Sequence, residues 1–452
     1  MSYRRAICVV VALALLVGVT AVIQGTSGIT APPGDSDLLS FFFPAAARVI
    51  DGQPFAIYAV RAFGDYPNIN PPIAIEWMAV LMGAAKSVGL PGASACISSG
   101  FSVLDCRALV AFVGFGFLPF VFALGALVLA AVRRLAPNVS PGGAVLALGL
   151  VILGPLLYLD FTEWRHLEQP LMLCFLVGGV YMLQRGKAGW AAVLLGLAIL
   201  TRTTAAIPVI ALLAVLLAER RWRTMLIVGL GTAIVAVIGL APFILADPSN
   251  ALYSLFTWRS SAAIGNSIWS LVLGTPLASI AARLDQPAAI ALALAAGWFG
   301  VRRLGVSSGG AGLWGVMAVG ALAVPMLSKL NWPYYSVEPF MLLLVFEMAV
   351  LARRSDAVAA PAPAEAAGGE AWWRGPIPLV SILFLATAVT LGQFMGNHSV
   401  TNGGIVLRLM GVTQFAVMGA FTWGVWRLLG ATAHDDAAAA ATASVVPAIG
   451  VK

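Results

Sequence analysis

Charge is what this chain has least of. Asp, Glu, Lys and Arg make up 10% of its 452 residues, against 60% hydrophobic. So few charges cannot solvate a globular surface, so lipid must serve as part of the solvent. Cysteine is scarce as well, with four residues and no C-x-x-C spacing, which gives no support to a zinc site. No glycine-rich phosphate loop is present, so the chain lacks that device for holding a nucleotide. No basic stripe with interleaved aromatics marks a nucleic-acid interface, and the net charge of +7 has another explanation below. The apolar runs do not alternate with period two, which excludes a spanning barrel and leaves helices.

What is present is a series of apolar runs. A helix needs roughly 20 residues to cross about 30 Å of hydrocarbon. Twelve runs, some of them short, are expected as spans at about 6–24, 107–132, 142–159, 170–184, 188–200, 203–218, 225–245, 287–301, 311–327, 335–351, 377–395 and 404–426. The fold class expected is an all-α polytopic membrane protein. Arg4, Arg5, Arg133, Arg134, Arg185, Lys187, Arg220, Arg221, Arg223, Arg302, Arg303, Arg353, Arg354 and Arg427 fall at ends that this count places on one side. The positive-inside rule makes that side cytoplasmic, so the positive balance is a topology signal. Both termini are then cytoplasmic, in the cell membrane. The first run is preceded by Arg4 and Arg5 but followed by no convincing cleavage site, and is expected to stay as an uncleaved span.

The organisation that follows is a membrane module over 1–354 with a first outer loop at 25–106, an Ala/Pro-rich cytoplasmic linker at 355–373, two C-terminal spans in 374–430 and a flexible tail at 431–452. Within the outer loop, 70–90 is apolar enough to suggest a span, but that would bury Glu76 and Lys86 in lipid at a few kcal/mol each. It is read as a juxtamembrane helix on the outer leaflet. Cys96 and Cys106 share this loop, in a compartment that permits disulfides, and are expected to bridge; the alternative is two unrelated buried thiols. No internal repeat of the kind that organises transporters is visible.

The few polar groups are not spread evenly. Asp35, Asp37, Tyr58, Tyr66, Glu163, Arg165, His166, Glu168, Arg202, Arg259, Asn266, Lys329, Tyr334 and Tyr335 all fall at outer ends or in outer loops, while the inner half-spans read as empty. A transporter would place ionisable groups near mid-depth, whereas an enzyme working at one interface gathers them there. The close acid pair Asp35 and Asp37 is read as offering a general base, the alternative for either being the N-cap of a helix starting near Leu38. Arg202 sits at the turn of a hairpin too short to cross comfortably twice, so it lies inside the protein and needs an anionic partner: a carboxylate, or a lipid phosphate gripped bidentately. Lys329 and Arg259 are second-rank phosphate binders or snorkelling anchors. Glu163, Arg165, His166 and Glu168 form a second polar knot, read as substrate-binding or mutually paired. Tyr58, Tyr66, Asn266, Tyr334 and Tyr335 complete the substrate-binding candidates, though Tyr and Trp at that depth also form interfacial belts. No ligand set forces a metal, although a divalent cation is possible.

A family resemblance rests on particular segments. Asp37, the aromatic run Phe41-Phe42-Phe43-Pro44 with Ala45-Ala46-Ala47, Gly52 to Tyr58, and Tyr66-Pro67-Asn68-Ile69-Asn70-Pro71-Pro72 resemble the first outer loop of the GT-C superfamily of membrane glycosyltransferases. The segments look most like those of glycosyltransferase family 87, the polyprenyl-phosphate-mannose-dependent mannosyltransferases. The Gly196-to-Pro208 hairpin, Asn266-Ser267-Ile268-Trp269 and Asn331-Trp332-Pro333-Tyr334-Tyr335 are similar too. Two segments depart from the family pattern: the Tyr66–Pro72 stretch is longer, and Glu163-Trp164-Arg165-His166-Leu167-Glu168-Gln169 replaces a Gly-Gln loop. The resemblance implies a GT-C fold and inverting transfer of a hexose, mannose favoured, from a polyprenyl monophosphate sugar to a lipid-linked or glycan hydroxyl on the outer face, with no nucleotide; it also implies Asp37 as the general base, by its spacing to Phe41, Phe42, Ala45 and Gly52, with Asp35 as the runner-up. Two other readings are a transporter or flippase of a lipid-linked or small polar substrate, and a non-catalytic assembly protein.

Overall fold

A computed structural model describes residues 3–27, 29, 36–62, 66–97, 102–137, 139–258, 264–329, 331–358, 377–398 and 404–445. Helices carry the architecture. In chain order they are α1 (Tyr3–Ser27), α2 (Phe43–Ile50), α3 (Pro72–Ser87), α4 (Ser94–Ile97), α5 (Val103–Leu135), α6 (Pro141–Ile152), α7 (Pro155–Thr162), α8 (Gln169–Gln184) and α9 (Ala188–Thr201). Then come α10 (Ala206–Ala218), α11 (Trp222–Ala246), α12 (Pro248–Leu252), α13 (Ala278–Leu304), α14 (Gly312–Leu327), α15 (Val337–Val358), α16 (Leu379–His398) and α17 (Ile405–Val445). The one β-ribbon among the described residues is two-stranded and antiparallel, with Arg61 opposite Pro67 and Ala62 opposite Tyr66.

Seven helical segments among the described residues are long and apolar enough to cross a bilayer: Ala6–Ser27, Val103–Leu135, Pro141–Thr162, Trp222–Ala246, Arg283–Leu304, Pro333–Arg354 and Ile405–Thr432. The protein is therefore an all-α, multi-pass membrane protein. The other five expected runs also form apolar helices: Gln169–Gln184, Ala188–Thr201, Thr203–Ala218 and Gly312–Leu327 each fall within 10–17 residues, and α16 runs from Leu379 to His398.

Burial sorts these helices. The most apolar stretch of Pro333–Arg354 is 94% buried, while that of Trp222–Ala246 is only 17% buried. An apolar helix whose surface is left uncovered by protein faces lipid, and one hydrophobic all round and covered lies at the centre. The central helix α15 packs against α14, which in turn meets α13 and α17. Small residues permit the closest crossings: a Cβ on Gly297 of α13 would lie 2.4 Å from the Ala211 carbonyl oxygen of α10.

Two local breaks matter for the site. The run expected as one span at 142–159 is interrupted before Pro155, whose missing N–H and ring end the helix; Gly154 turns there with φ −63° and ψ 134°. The short α7 then delivers the loop 163–168. In the first loop, α3 does not merely rest on a membrane surface: Ile75, Met78 and Met82 are buried, and the helix packs on α5 and α9. Its neighbour α4 is tied to α5 by a Cys96–Cys106 disulfide with Cα atoms 4.9 Å apart.

A buried acid also sits within the central helix, away from this loop. Glu347 of α15 is 3% exposed, and its carboxylate accepts from the Val380 N–H (2.8 Å), the Ser381 N–H (2.6 Å) and the Ser381 hydroxyl (2.7 Å). It caps the N-terminus of α16, where free N–H groups otherwise have no intrahelical partner.

Candidate functional site

Five separate pieces of chain meet in one small pocket. Asp37, Phe41, Tyr66, Asn70 and Pro71 come from the first loop, and His166 from the loop after α7. Arg202 and Thr204 come from the turn between α9 and α10, Trp258 from the segment after α12, and Trp332, Tyr334 and Tyr335 from the entry to α15. The cavity measures about 70 Å³.

Asp37 stands at the N-cap position of a π-helical turn over Leu38–Phe42 and makes no side-chain capping bond. The neighbouring Ser36 takes over that work, its carbonyl accepting from the Ser40 N–H at 2.9 Å and its hydroxyl from the Leu39 N–H at 3.5 Å. The Asp37 carboxylate, 40% exposed, faces the pocket. Asp35 lies outside the described residues, as does Arg259.

The loop after α7 reaches inward through an uncommon backbone conformation. Arg165 has φ 56°, a left-handed geometry that a non-glycine residue adopts at a cost of order 1 kcal/mol or more. It sets His166 and Glu168, only 3% and 1% exposed, behind the pocket. Glu168 Oε1 accepts from His166 Nδ1 at 2.7 Å and from Arg202 Nη1 at 2.6 Å. On the other side of the ring, His166 Nε2 is 3.4 Å from Asp37 Oδ2.

Arg202 sits in extended conformation at the end of α9, φ −156° and ψ 124°, and is 8% exposed. Beyond Glu168 it meets Glu338, with Nε 3.5 Å from Oε1, and its Nε also donates to Thr204 Oγ1 at 3.1 Å. The Thr204 hydroxyl in turn donates to Glu338. The guanidinium lies 4.8 Å from the Tyr334 ring centre and 5.6 Å from that of Tyr335, within cation–π range. The result is a continuous chain of contacts from Asp37 through His166, Glu168 and Arg202 to Glu338.

The electrostatics follow from that chain. Burial alone disfavours an imidazolium, but the Glu168 charge and the side-chain bonds to Asp37 and Glu168 outweigh it and push His166 up to about 9. Burial likewise disfavours the Glu168 carboxylate, yet the charges of His166 and Arg202 and the His166 bond hold it below its ordinary value. Stacked rings form the walls. Tyr66 lies 4.2 Å from Trp258 and 5.5 Å from Phe41; opposite them, Trp332 and Tyr334 are nearly parallel at 8° with centroids 6.2 Å apart.

Several expected site residues are elsewhere. Lys329 is fully buried, its backbone N–H donates to Asp285 Oδ2 at 3.3 Å, and it does not line the pocket. Tyr58 is buried against Phe243, edge to face. Glu163 is exposed at the end of α7, and Arg165 and Asn266 do not line the cavity. Two acids in the cluster went unread in the sequence. Glu338 lies one turn into a long apolar run. Asp160 is fully buried in the shared field of His166, Glu168 and Arg202, with neither oxygen hydrogen-bonded among the described residues. The signal was available: an acid inside an apolar span costs enough to mark a functional candidate.

Among the described residues no three His, Cys, Asp or Glu side chains converge as metal ligands. No protein-family model matches the chain, and no curated protein matches it.

Proposed function

We propose that this is an inverting glycosyltransferase of GT-C type, working at the outer face of the cell membrane with both termini cytoplasmic and the short helices completing about twelve spans. The donor is a polyprenyl monophosphate hexose, with mannose favoured by the family resemblance, and the acceptor is a lipid-linked or glycan hydroxyl. One observation carries this reading: a carboxylate free of any capping duty stands at a cavity walled by stacked aromatic rings, with a guanidinium in the same wall.

Asp37 has the position of the base. As the acceptor oxygen attacks the anomeric carbon, its proton passes to an Asp37 carboxylate oxygen, the new C–O bond forms, and the bond from carbon to phosphate oxygen breaks with its electron pair leaving on phosphate. The leaving charge needs a donor. Arg202 commits Nη1 to Glu168 and Nε to Thr204 and Glu338, while its Nη2 has no hydrogen bond among the described residues and is the atom assigned to the phosphate. Tyr66, Trp258, Trp332, Tyr334 and Tyr335 offer ring faces to a sugar.

The test is transfer from radiolabelled polyprenyl-phosphate hexoses by purified protein in lipid vesicles. Asp37→Asn is expected to lower kcat by at least about a thousandfold with donor binding retained. Wild-type rates in that variant, or movement of an intact labelled donor across the vesicle without transfer, would refute the assignment.

A further inference from the structure

We propose that His166, clamped from behind by Glu168, is a positioning residue that holds the Asp37 carboxylate in place, and is neither a substrate ligand nor a proton acceptor. The proposal rests on the assignment of Asp37 as base.

Geometry dictates the state of the ring. A neutral imidazole has one N–H and one lone pair. His166 presents Nδ1 to Glu168 at 2.7 Å and Nε2 to Asp37 at 3.4 Å, so a neutral ring would turn a lone pair toward one of two carboxylates. Only the doubly protonated ring suits both. The ring is also fixed in place: the Tyr334 ring centre lies 3.7 Å away and Phe42 meets it edge-on at 6.3 Å. Enclosed in this way and tied to Glu168, the ring has one free task, at the Nε2 end.

The groups that face His166 from every side are Asp37 from the first loop, Glu168 on its own loop, Asp160 from α7, Arg202 from the α9–α10 turn and Tyr334 from the entry to α15. Arg202 Nη1 approaches Nδ1 to 3.4 Å, a like-charge contact made tolerable by the Glu168 oxygen they share. An imidazolium with both nitrogens protonated cannot accept the acceptor's proton. That proton stays on Asp37 until the departing phosphate or water takes it. What His166 supplies is a charged N–H and direction: Nε2 engages one Asp37 oxygen and leaves the other for the pocket. The 3.4 Å separation is longer than a tight hydrogen bond, as is common for catalytic groups before substrate closes the site.

The experiment measures kcat and KM against pH for wild type, Asp37→Asn and His166→Gln in the same vesicle assay. The wild-type kcat is expected to fall as pH rises through about 9, where His166 loses its proton. His166→Gln retains an N–H but no charge; it is expected to lower kcat about tenfold to a hundredfold at pH 7, to leave KM for donor within about threefold, and to abolish that high-pH limb. A raised KM with unchanged kcat would make His166 a substrate ligand and overturn the proposal. So would a variant that keeps the upper limb, or a wild-type kcat flat to pH 10, a measurement that needs no variant to fold. Full activity in Asp37→Asn would instead overturn the underlying assignment of the base.

Discussion

Removing the Glu168 charge is the most direct way to weigh the buried cluster. In Glu168→Gln the volume is kept, but one anionic oxygen that accepts from Arg202 at 2.6 Å and from His166 at 2.7 Å is lost. Two cations then face each other with Nη1 and Nδ1 3.4 Å apart. At an effective dielectric of about 20, two unit charges at that separation repel by about 5 kcal/mol. His166 escapes by giving up its proton, which limits the cost. A group that titrates at about 9 and must be neutral at pH 7 forfeits about 3 kcal/mol, so a loss of about 3 kcal/mol is expected there, within the range for breaking a buried pair. The pH dependence has a definite sign. The folded value lies above the ordinary 6.5, so the histidine's contribution is complete below about pH 6.5 and vanishes as pH rises through about 9. Reversible denaturation of wild type and variant in detergent micelles at pH 6.5, 8 and 10 checks this. A deficit that is equal at pH 6.5 and pH 10, or smaller than about 1 kcal/mol at pH 6.5, refutes the reasoning.

Other perturbations address the scaffold and the pocket walls. Gly297→Val places its Cβ 2.4 Å from the Ala211 carbonyl oxygen, a backbone contact that cannot swing aside; α13 must part from α10, and the variant should unfold more than about 2 kcal/mol more easily in the same micelles. Glu347→Ala strips three hydrogen bonds from the start of α16 and leaves buried N–H groups unpaired, at about 1–3 kcal/mol each; faster proteolysis near residue 380 with transfer retained is the expected signature. Trp332→Ala removes one of the two nearly parallel rings and is expected to raise the KM for donor about tenfold while changing kcat less, as read from initial rates; an unchanged KM would remove that ring from the sugar site.

How much was legible beforehand depends on the kind of physics involved. The membrane class and all-α fold follow from composition and from the obligation to satisfy backbone groups in lipid; every run expected to be helical is helical, from Ala6–Ser27 to Ile405–Thr432. The Arg202 turn was legible as the apex of a short hairpin, whereas the break before Pro155 was not, because hydropathy does not register it until the chain is folded around it. Asp37, Tyr66, His166, Arg202, Tyr334 and Tyr335 were named from residue type and position, and they share one cavity. Lys329, Tyr58 and Glu163 were named on the same grounds and do not. A sequence shows that an ionisable side chain sits near an interface but not which way it points.

Composition and the order of apolar runs thus decided by themselves that this chain folds as helices in lipid, since hydrocarbon accepts no unpaired backbone and few bare charges. Tertiary structure alone decided which charges meet. Glu168 and Arg202 are 34 residues apart in the chain, Thr204 and Glu338 are 134 apart, and no local pattern pairs them. Only the tertiary packing that brings the loop after α7 and the α9–α10 turn to the entry of α15 sets these groups within a few ångströms, where low dielectric makes each depend on the others.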